Sequence, residues 1–188
     1  MNMCGIVGYH SLRSNNLLEK KFLNFLDKIN HRGPDEKNYF IKDNVSLGHT
    51  RLSIQDITYG TQPMWDSKND LCIIYNGEIY NHLSLRNDLK KNFNFKSKNS
   101  DTETIIYAYK KWGINFLNKL NGMYSIVIYD KIKQEILLIR DRFGEKPLYY
   151  YQDKDLFSFS SELNKLISTS NNISTLNLCK YFTYGYVP

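Results

Sequence analysis

The run Leu71-Cys72-Ile73-Ile74-Tyr75 constrains this chain more than any other stretch. It is continuous, apolar and short, and Asn76-Gly77 closes it. Such a run reads as a strand buried on both faces, ending at a turn dipeptide. The stretch 123–129, with Ile126, Val127 and Ile128, makes the same demand. A strand buried on both faces needs one layer above it and another below. The other strand signals fall into two antiparallel groups with paired helices between them, not into alternating βαβ units. The pattern predicts an α+β fold in which two antiparallel sheets pack face to face, with helices outside them. An aromatic content of 14%, with 15 Tyr and 10 Phe, suits a thick β core.

Along the chain, residues 4–9 read as a strand. Leu17, Leu18, Phe22, Phe25, Leu26 and Ile29 give residues 16–30 a helical apolar stripe. His31-Arg32-Gly33-Pro34-Asp35 is a turn, and strands 37–42 and 45–53 pair around Asp43-Asn44. Residues 55–69 are polar and irregular. Helices are expected at 79–93, from the start signal Ser100-Asp101-Thr102-Glu103 to Trp112, and at 114–120. Strands at 123–130 and 135–140 form a second hairpin, and 147–151 and 156–160 add two more. A helical turn at 162–167, a polar linker at 168–174 and a last helix at 176–182 complete the chain. The ending Tyr184-Gly185-Tyr186-Val187-Pro188 is apolar and aromatic, which points to continuation in the natural protein.

The net charge of +6 comes largely from dispersed lysines such as Lys90, Lys91, Lys96 and Lys98. No dense basic tract interleaved with aromatics occurs, so the charge reads as a solvated surface and not as a nucleic-acid footprint. Cys4, Cys72 and Cys179 are odd in number, far apart and without metal-ligand spacing. No secretory signal or long apolar run accompanies them. These features place the chain in a reducing cytoplasm, with no membrane partner and no metal.

Met3-Cys4-Gly5-Ile6-Val7-Gly8 puts a thiol at the head of an apolar strand. One reading is a small buried hydrophobe. The other is a nucleophile whose base is its own α-amine, which has a pKa near ~8 when free. That chemistry needs Cys4 to be the first residue, yet Met1-Asn2-Met3 precedes it. Translation from Met3 with methionine removal, cleavage of a leader, and an inactive site all fit the sequence. Other strand-end residues offer complementary chemistry. Asn76 and the Gly77 amide have the composition of an oxyanion hole, or of a plain turn. Arg51 suits a carboxylate, or a structural ion pair. Asp101 and Glu78 suit an ammonium, or a helix cap and a solvated charge respectively. Taken together, the inventory fits an amino acid with a side-chain carbonyl, and glutamine has both.

Seven stretches carry a family resemblance in order: Met3–Gly8, His31–Asp35, His49–Ile54, Tyr75–His82, Ser100–Glu103, Gly122–Tyr124 and Arg140–Tyr149. The chain resembles the glutaminase domain of class II glutamine amidotransferases, and most closely the N-terminal domain of glutamine-dependent asparagine synthetases. The resemblance implies a four-layer αββα sandwich of the N-terminal nucleophile hydrolase type. It implies Cys4 as nucleophile, Asn76 and Gly77 at the oxyanion, and Arg51 on the α-carboxylate of glutamine. Asp101 and Glu78 would hold the α-ammonium, with Ile54 backbone groups lining the pocket and Arg32 bracing the site. Arg140–Tyr149 is expected to lie toward a partner domain in a structural role.

The same resemblance divides the chain into a glutaminase domain at 4–167 and a linker with a first helix at 168–188. These lead toward a C-terminal synthetase domain that is absent here. ATP and Mg would belong to that domain, and glutamine hydrolysis itself would need no cofactor. A homodimer of the full-length protein is compatible with this reading. Two alternatives stand beside it: a non-catalytic glutamine-binding or regulatory domain if the leader stays, and an amidotransferase serving a sugar or secondary-metabolite acceptor.

Overall fold

The computed structural model describes residues 3–12, 16–42, 44–54, 56–166 and 174–187, and alternation along its buried strands decides the layer order. In β5 (Leu71–Ile79), Leu71, Ile73, Tyr75 and Ile79 point one way. They meet Leu85 and Leu89 of α2 (His82–Leu89) and Ile105, Ile106 and Tyr109 of α3 (Asp101–Trp112). Cys72 and Ile74 point the other way and pack on Ile6, Val45 and Leu47 of a second sheet. Ile6 belongs to β1 (Gly5–Ser11), whose Val7 and Tyr9 face outward onto α1 (Asn16–Lys28). The layers are therefore α1, sheet, sheet, then α2 with α3. Period-two side-chain alternation produces this order once both faces of each sheet are apolar.

Every pairing between the described strands is antiparallel. The first sheet runs β2-β3-β1-β9-β8, with β2 at Glu36–Lys42, β3 at Val45–Arg51, β8 at Tyr149–Gln152 and β9 at Leu156–Ser160. The second runs β4-β5-β6-β7, with β4 at Met64–Trp65, β6 at Gly122–Asp130 and β7 at Glu135–Arg140. Phe22 and Leu26 seat α1 on the first sheet, and Phe22 meets Tyr9 edge-on at 5.9 Å. Burial of each such side chain contributes roughly 2–3 kcal/mol.

The structure corrects three expectations. Asn76-Gly77 is not a turn: β5 continues through it, pairing Asn76 with Ser125 and Gly77 with Tyr124. Neither residue has the positive φ that an Asn-Gly hairpin turn requires. The polar stretch 55–69 contains β4, whose two residues carry too little pattern to be seen. The expected helix at 114–120 is a 3₁₀ helix, Gly113–Lys119, that turns off the end of α3.

Met1, Asn2, Asp43, residues 167–173 of the expected turn and linker, and Pro188 lie outside the described residues. The last helix, α4, spans Thr175–Tyr184 and buries none of its residues. Among the described residues, no helix is long and apolar enough to cross a membrane.

Candidate active site

Strand parity brings the predicted residues together. Cys4 lies two residues before Ile6 and so shares its inter-sheet face. Arg51 ends β3 on the face of Leu47, and Asn76 lies two residues past Ile74. Gly5 pairs with Thr50, which sets the start of β1 beside the end of β3. At this open end of the sandwich is a cavity of about 130 Å³. Cys4, Arg51, Ile54, Asn76, Gly77, Glu78 and Asp101 all line it.

The Cys4 thiol is pinned to the main chain of Leu52. Its Sγ donates to the Leu52 carbonyl at 3.7 Å and accepts from the Leu52 N–H at 3.4 Å. Arg32 Nε donates to the Cys4 carbonyl at 3.2 Å, and Glu162 steadies both Arg32 (3.7 Å) and His31 (2.7 Å). Arg32 thus braces the backbone that carries the thiol. Burial pushes the thiol pKa up, against smaller opposing effects from the Leu52 backbone and Arg51. At neutral pH the group is a thiol, so it needs a base to become a nucleophile.

Arg51 makes the structural ion pair foreseen as one of its two readings, and it also lines the cavity. It is buried, and its Nη1 donates to Glu36 at 2.7 Å and to the Ile57 carbonyl at 3.2 Å. Its Nη2 donates to the Asp56 carbonyl at 2.8 Å. A Cβ on Gly60 would stand 2.3 Å from that Nη2 and 2.8 Å from the Asp56 carbonyl oxygen, a main-chain atom, so glycine suits the close approach of the 56–60 turn to the guanidinium. The ion pair with Glu36 fixes Arg51 where it lines the cavity.

Asn76 and Gly77 owe their position to an exposed strand edge. β4 pairs with β5 only as far as Ile73. Beyond it the edge is met by side chains. The Tyr75 N–H donates to Gln62 Oε1 at 2.6 Å, and the Ile79 N–H donates to Asp101 Oδ2 at 3.3 Å. Alternation sends the Gly77 N–H toward the same edge, into the cavity. A Cβ on Gly77 would lie 2.2 Å from the Met123 carbonyl oxygen, which explains the glycine. Asn76 is 2% exposed, and among the described residues its Nδ2 has no hydrogen-bond partner. A buried amide donor left unpaired beside a cavity is costly, and it is the arrangement that an incoming anionic oxygen would satisfy.

The remaining walls are acidic and basic. Asp101 is the first helical residue of α3 and not its cap. Ser100 caps the helix, with its Oγ accepting the Glu103 N–H at 3.2 Å. Asp101 Oδ2 also accepts from Tyr75 Oη at 2.9 Å. Burial pushes the Asp101 carboxyl up, against the Tyr75 and Ile79 hydrogen bonds. Glu78 and Ile54 are exposed and stand at the rim.

Among the lining residues not foreseen as site residues are Gln62, Tyr75, Met123 and Lys146. Lys146 comes from the stretch expected to face a partner domain. Asp141 turns that stretch back, accepting the N–H groups of Lys146, Glu145, Tyr124 and Phe143 at 3.0, 2.9, 3.3 and 3.1 Å. Against the upward push of burial, these bonds hold the Asp141 carboxyl below the usual range.

The chain matches the glutamine amidotransferase domain family over residues 3–188. It is 40% identical over 169 residues to asparagine synthetase (glutamine-hydrolysing) 2 of Bacillus subtilis, a match covering 88% of this chain and 22% of that protein. Asparagine synthetase B (glutamine-hydrolysing) of Escherichia coli is 35% identical over 173 residues, covering 91% of this chain and 31% of its own length. This chain therefore spans under a third of either relative. The fold is similar to that of a glutamine phosphoribosylpyrophosphate amidotransferase from B. subtilis, solved with ADP and GMP. That likeness has a TM-score of 0.69, covers 86% of this chain and 42% of that one, and carries 20% identity.

Proposed function

The chain belongs to the glutamine amidotransferase domain family, and from that premise we propose that it hydrolyses glutamine to glutamate and ammonia with Cys4 as nucleophile. The observation that carries this reading is the unpaired Asn76 Nδ2, buried in the wall of the cavity that also holds the Cys4 thiol and the Gly77 amide. Arg51 holds the substrate α-carboxylate, and Asp101 with Glu78 holds the α-ammonium. The side-chain amide then reaches Cys4.

In the first step the α-amine of Cys4 takes the thiol proton, and sulfur adds to the amide carbon. The amide oxygen becomes an oxyanion between Asn76 Nδ2 and the Gly77 N–H. The α-ammonium returns the proton to the departing nitrogen, the C–N bond breaks, and ammonia leaves. Water, deprotonated by the same amine, then adds to the thioester carbon, the C–S bond breaks to give glutamate, and the ammonium returns the proton to the departing thiolate. Thiol, amine and oxyanion donors account for every proton and charge in this half reaction, so it needs no cofactor. The similarity to glutamine-hydrolysing asparagine synthetases supports a role in supplying ammonia to a synthetase domain. In this reading ATP and Mg would belong to that domain, and the pair would work in the cytoplasm.

A second reading has its own observation: Met3 lines the cavity beside Cys4. With the leader retained, the α-amine is not on Cys4, and the domain binds glutamine without turnover. Intact mass, combined with a glutamate-release assay, separates the two. Release by chains that begin at Cys4, and none from Cys4→Ala, supports hydrolysis. Equal release from Cys4→Ala overturns it.

A further inference from the structure

Lys146 is 7% exposed, and it lines the cavity together with Met3 and Cys4. Its main chain is fixed on both sides. The N–H donates to Asp141 at 3.0 Å, and the carbonyl accepts from Arg140 Nε at 2.8 Å and Ser125 Oγ at 3.2 Å. Its side chain is not matched in the same way. Among the described residues, the partner of its Nζ is the thioether sulfur of Met3, at 3.1 Å. A thioether is a weak acceptor, and a buried ammonium without a carboxylate is unfavourable for the fold. The fold nevertheless spends four Asp141 hydrogen bonds on aiming this residue inward.

Met3 is bonded directly to the Cys4 nitrogen. Removal of Met3 takes away the thioether and leaves a new α-amine in the same corner. We propose that Lys146 is a positioning residue that lowers the proton affinity of the Cys4 α-amine, keeping it a free base at neutral pH. This rests on the hydrolytic reading above. An ordinary α-amine, with a pKa near ~8, is only about one-tenth free base at pH 7. A like charge within about 4–6 Å disfavours its protonated form. The same effect makes the ammonium a better donor to the departing nitrogen, since a catalytic acid-base group works best near the operating pH. The other charged or titratable groups facing this corner are Arg32 from the turn after α1, Arg51 from β3, Tyr75 and Glu78 from β5, and Asp101 from α3. Asp101 and Glu78 oppose Lys146, and the cations Arg32 and Arg51 act in the same direction as it.

The test uses chains whose mass confirms Cys4 as the first residue, comparing wild type, Lys146→Met and Lys146→Arg. The α-amine, labelled with ¹⁵N at Cys4, is titrated by NMR, and kcat/KM for glutamine is followed across pH. In Lys146→Met, the amine midpoint and the acidic limb of kcat/KM are both expected to move up by about one pH unit. Lys146→Arg is expected to keep the wild-type values. Superimposable titrations of wild type and Lys146→Met overturn the proposal, as does a KM raised equally at every pH, which would make Lys146 a glutamine ligand. The NMR titration needs no turnover. Absence of wild-type activity at every pH would defeat the hydrolytic reading, while the amine midpoints would still decide the role of Lys146.

Discussion

Tyr75 Oη donates to Asp101 Oδ2 at 2.9 Å, tying the outer face of β5 to the first residue of α3. The bond aims a buried carboxylate at the cavity, although burial raises its pKa. A carboxyl whose folded pKa is raised stabilises the fold most fully below its unfolded pKa, and that contribution is lost as pH rises through the folded value. Ionised Asp101 is therefore a cost to the empty protein near neutral pH, which the ammonium of the proposed substrate would offset.

Asp101→Asn should leave the melting temperature at pH 7 no lower than wild type. Its KM for glutamine should rise by about 10²-fold or more, as expected for a lost buried charge pair. Thermal melts and steady-state kinetics on one preparation check both. A lower melting temperature with an unchanged KM would make Asp101 a structural residue of α3.

His49 crosses between the sheets, with Nε2 3.1 Å from the Tyr75 carbonyl. That oxygen only accepts, so Nε2 carries the hydrogen. Burial, with a smaller contribution from Arg51, lowers the His49 pKa to about 3. The unfolded chain, with histidine near about 6.5, binds more protons than the fold between these values. Stability from neutral His49 is complete above that range and is lost as pH falls through it. His49→Gln keeps a donor to Tyr75 but does not titrate. Between pH 7 and pH 4.5, wild type should lose about 2–3 kcal/mol more than this variant, read by denaturant unfolding. Parallel losses would mean that another group controls acid stability.

Gly77→Ala tests the close approach of β5 to β6. The added Cβ would stand 2.2 Å from the Met123 carbonyl oxygen and 2.7 Å from Tyr124 Cα, both main-chain atoms. Neither can yield without parting the strands, so stability should fall by about 1–3 kcal/mol. The displaced amide should lower kcat more than it changes KM. A variant with wild-type kcat would remove the Gly77 N–H from the oxyanion site.

Arg51→Ala and Arg51→Lys should differ in kind. Alanine removes the guanidinium donor to Glu36 Oε1 and to the Ile57 and Asp56 carbonyls, of which the Asp56 carbonyl keeps the Gly60 N–H, so both folding and glutamine binding should suffer. Lysine keeps the charge but not the fork. It should fold with near-native stability and show a KM raised by roughly tenfold or more. A normal KM in the lysine variant would confine Arg51 to the ion pair.

The parts of this site legible in the sequence were those set by strand ends. Cys4 heads one apolar strand, Arg51 lies near the end of another, Asn76 follows the most buried run, and the helix signal at Ser100 includes Asp101. What stayed hidden depends on contacts far apart in the chain. Asn76-Gly77 has the composition of a turn, and only pairing with Ser125 and Tyr124 holds it extended. Tyr75 looks like one more apolar strand residue until its hydroxyl meets α3. Lys146 sits among ordinary surface charges, and only the Asp141 turn carries it into the cavity. Local pattern sets faces and ends, whereas side-chain-to-backbone bonds over long separations leave no period to read.

Asn76→Ala separates chemistry from folding most cleanly, because among the described residues the Nδ2 it removes has no hydrogen-bond partner. Nδ2 is buried and unpaired, so its loss also removes an unsatisfied donor, which offsets the small space left behind. The unfolding midpoint should stay close to wild type. Under the proposed mechanism the same donor would face a full negative charge on oxygen in the transition state, and losing one such donor typically costs about 10²–10³ in kcat. KM should change only a few-fold, since the neutral amide oxygen of bound glutamine gains far less from the contact. A fall in kcat with midpoint and KM held is the signature of a group that acts only on the oxyanion. A destabilised variant that keeps its kcat would place the Asn76 amide in the scaffold, and the oxyanion would then need another donor beside Gly77.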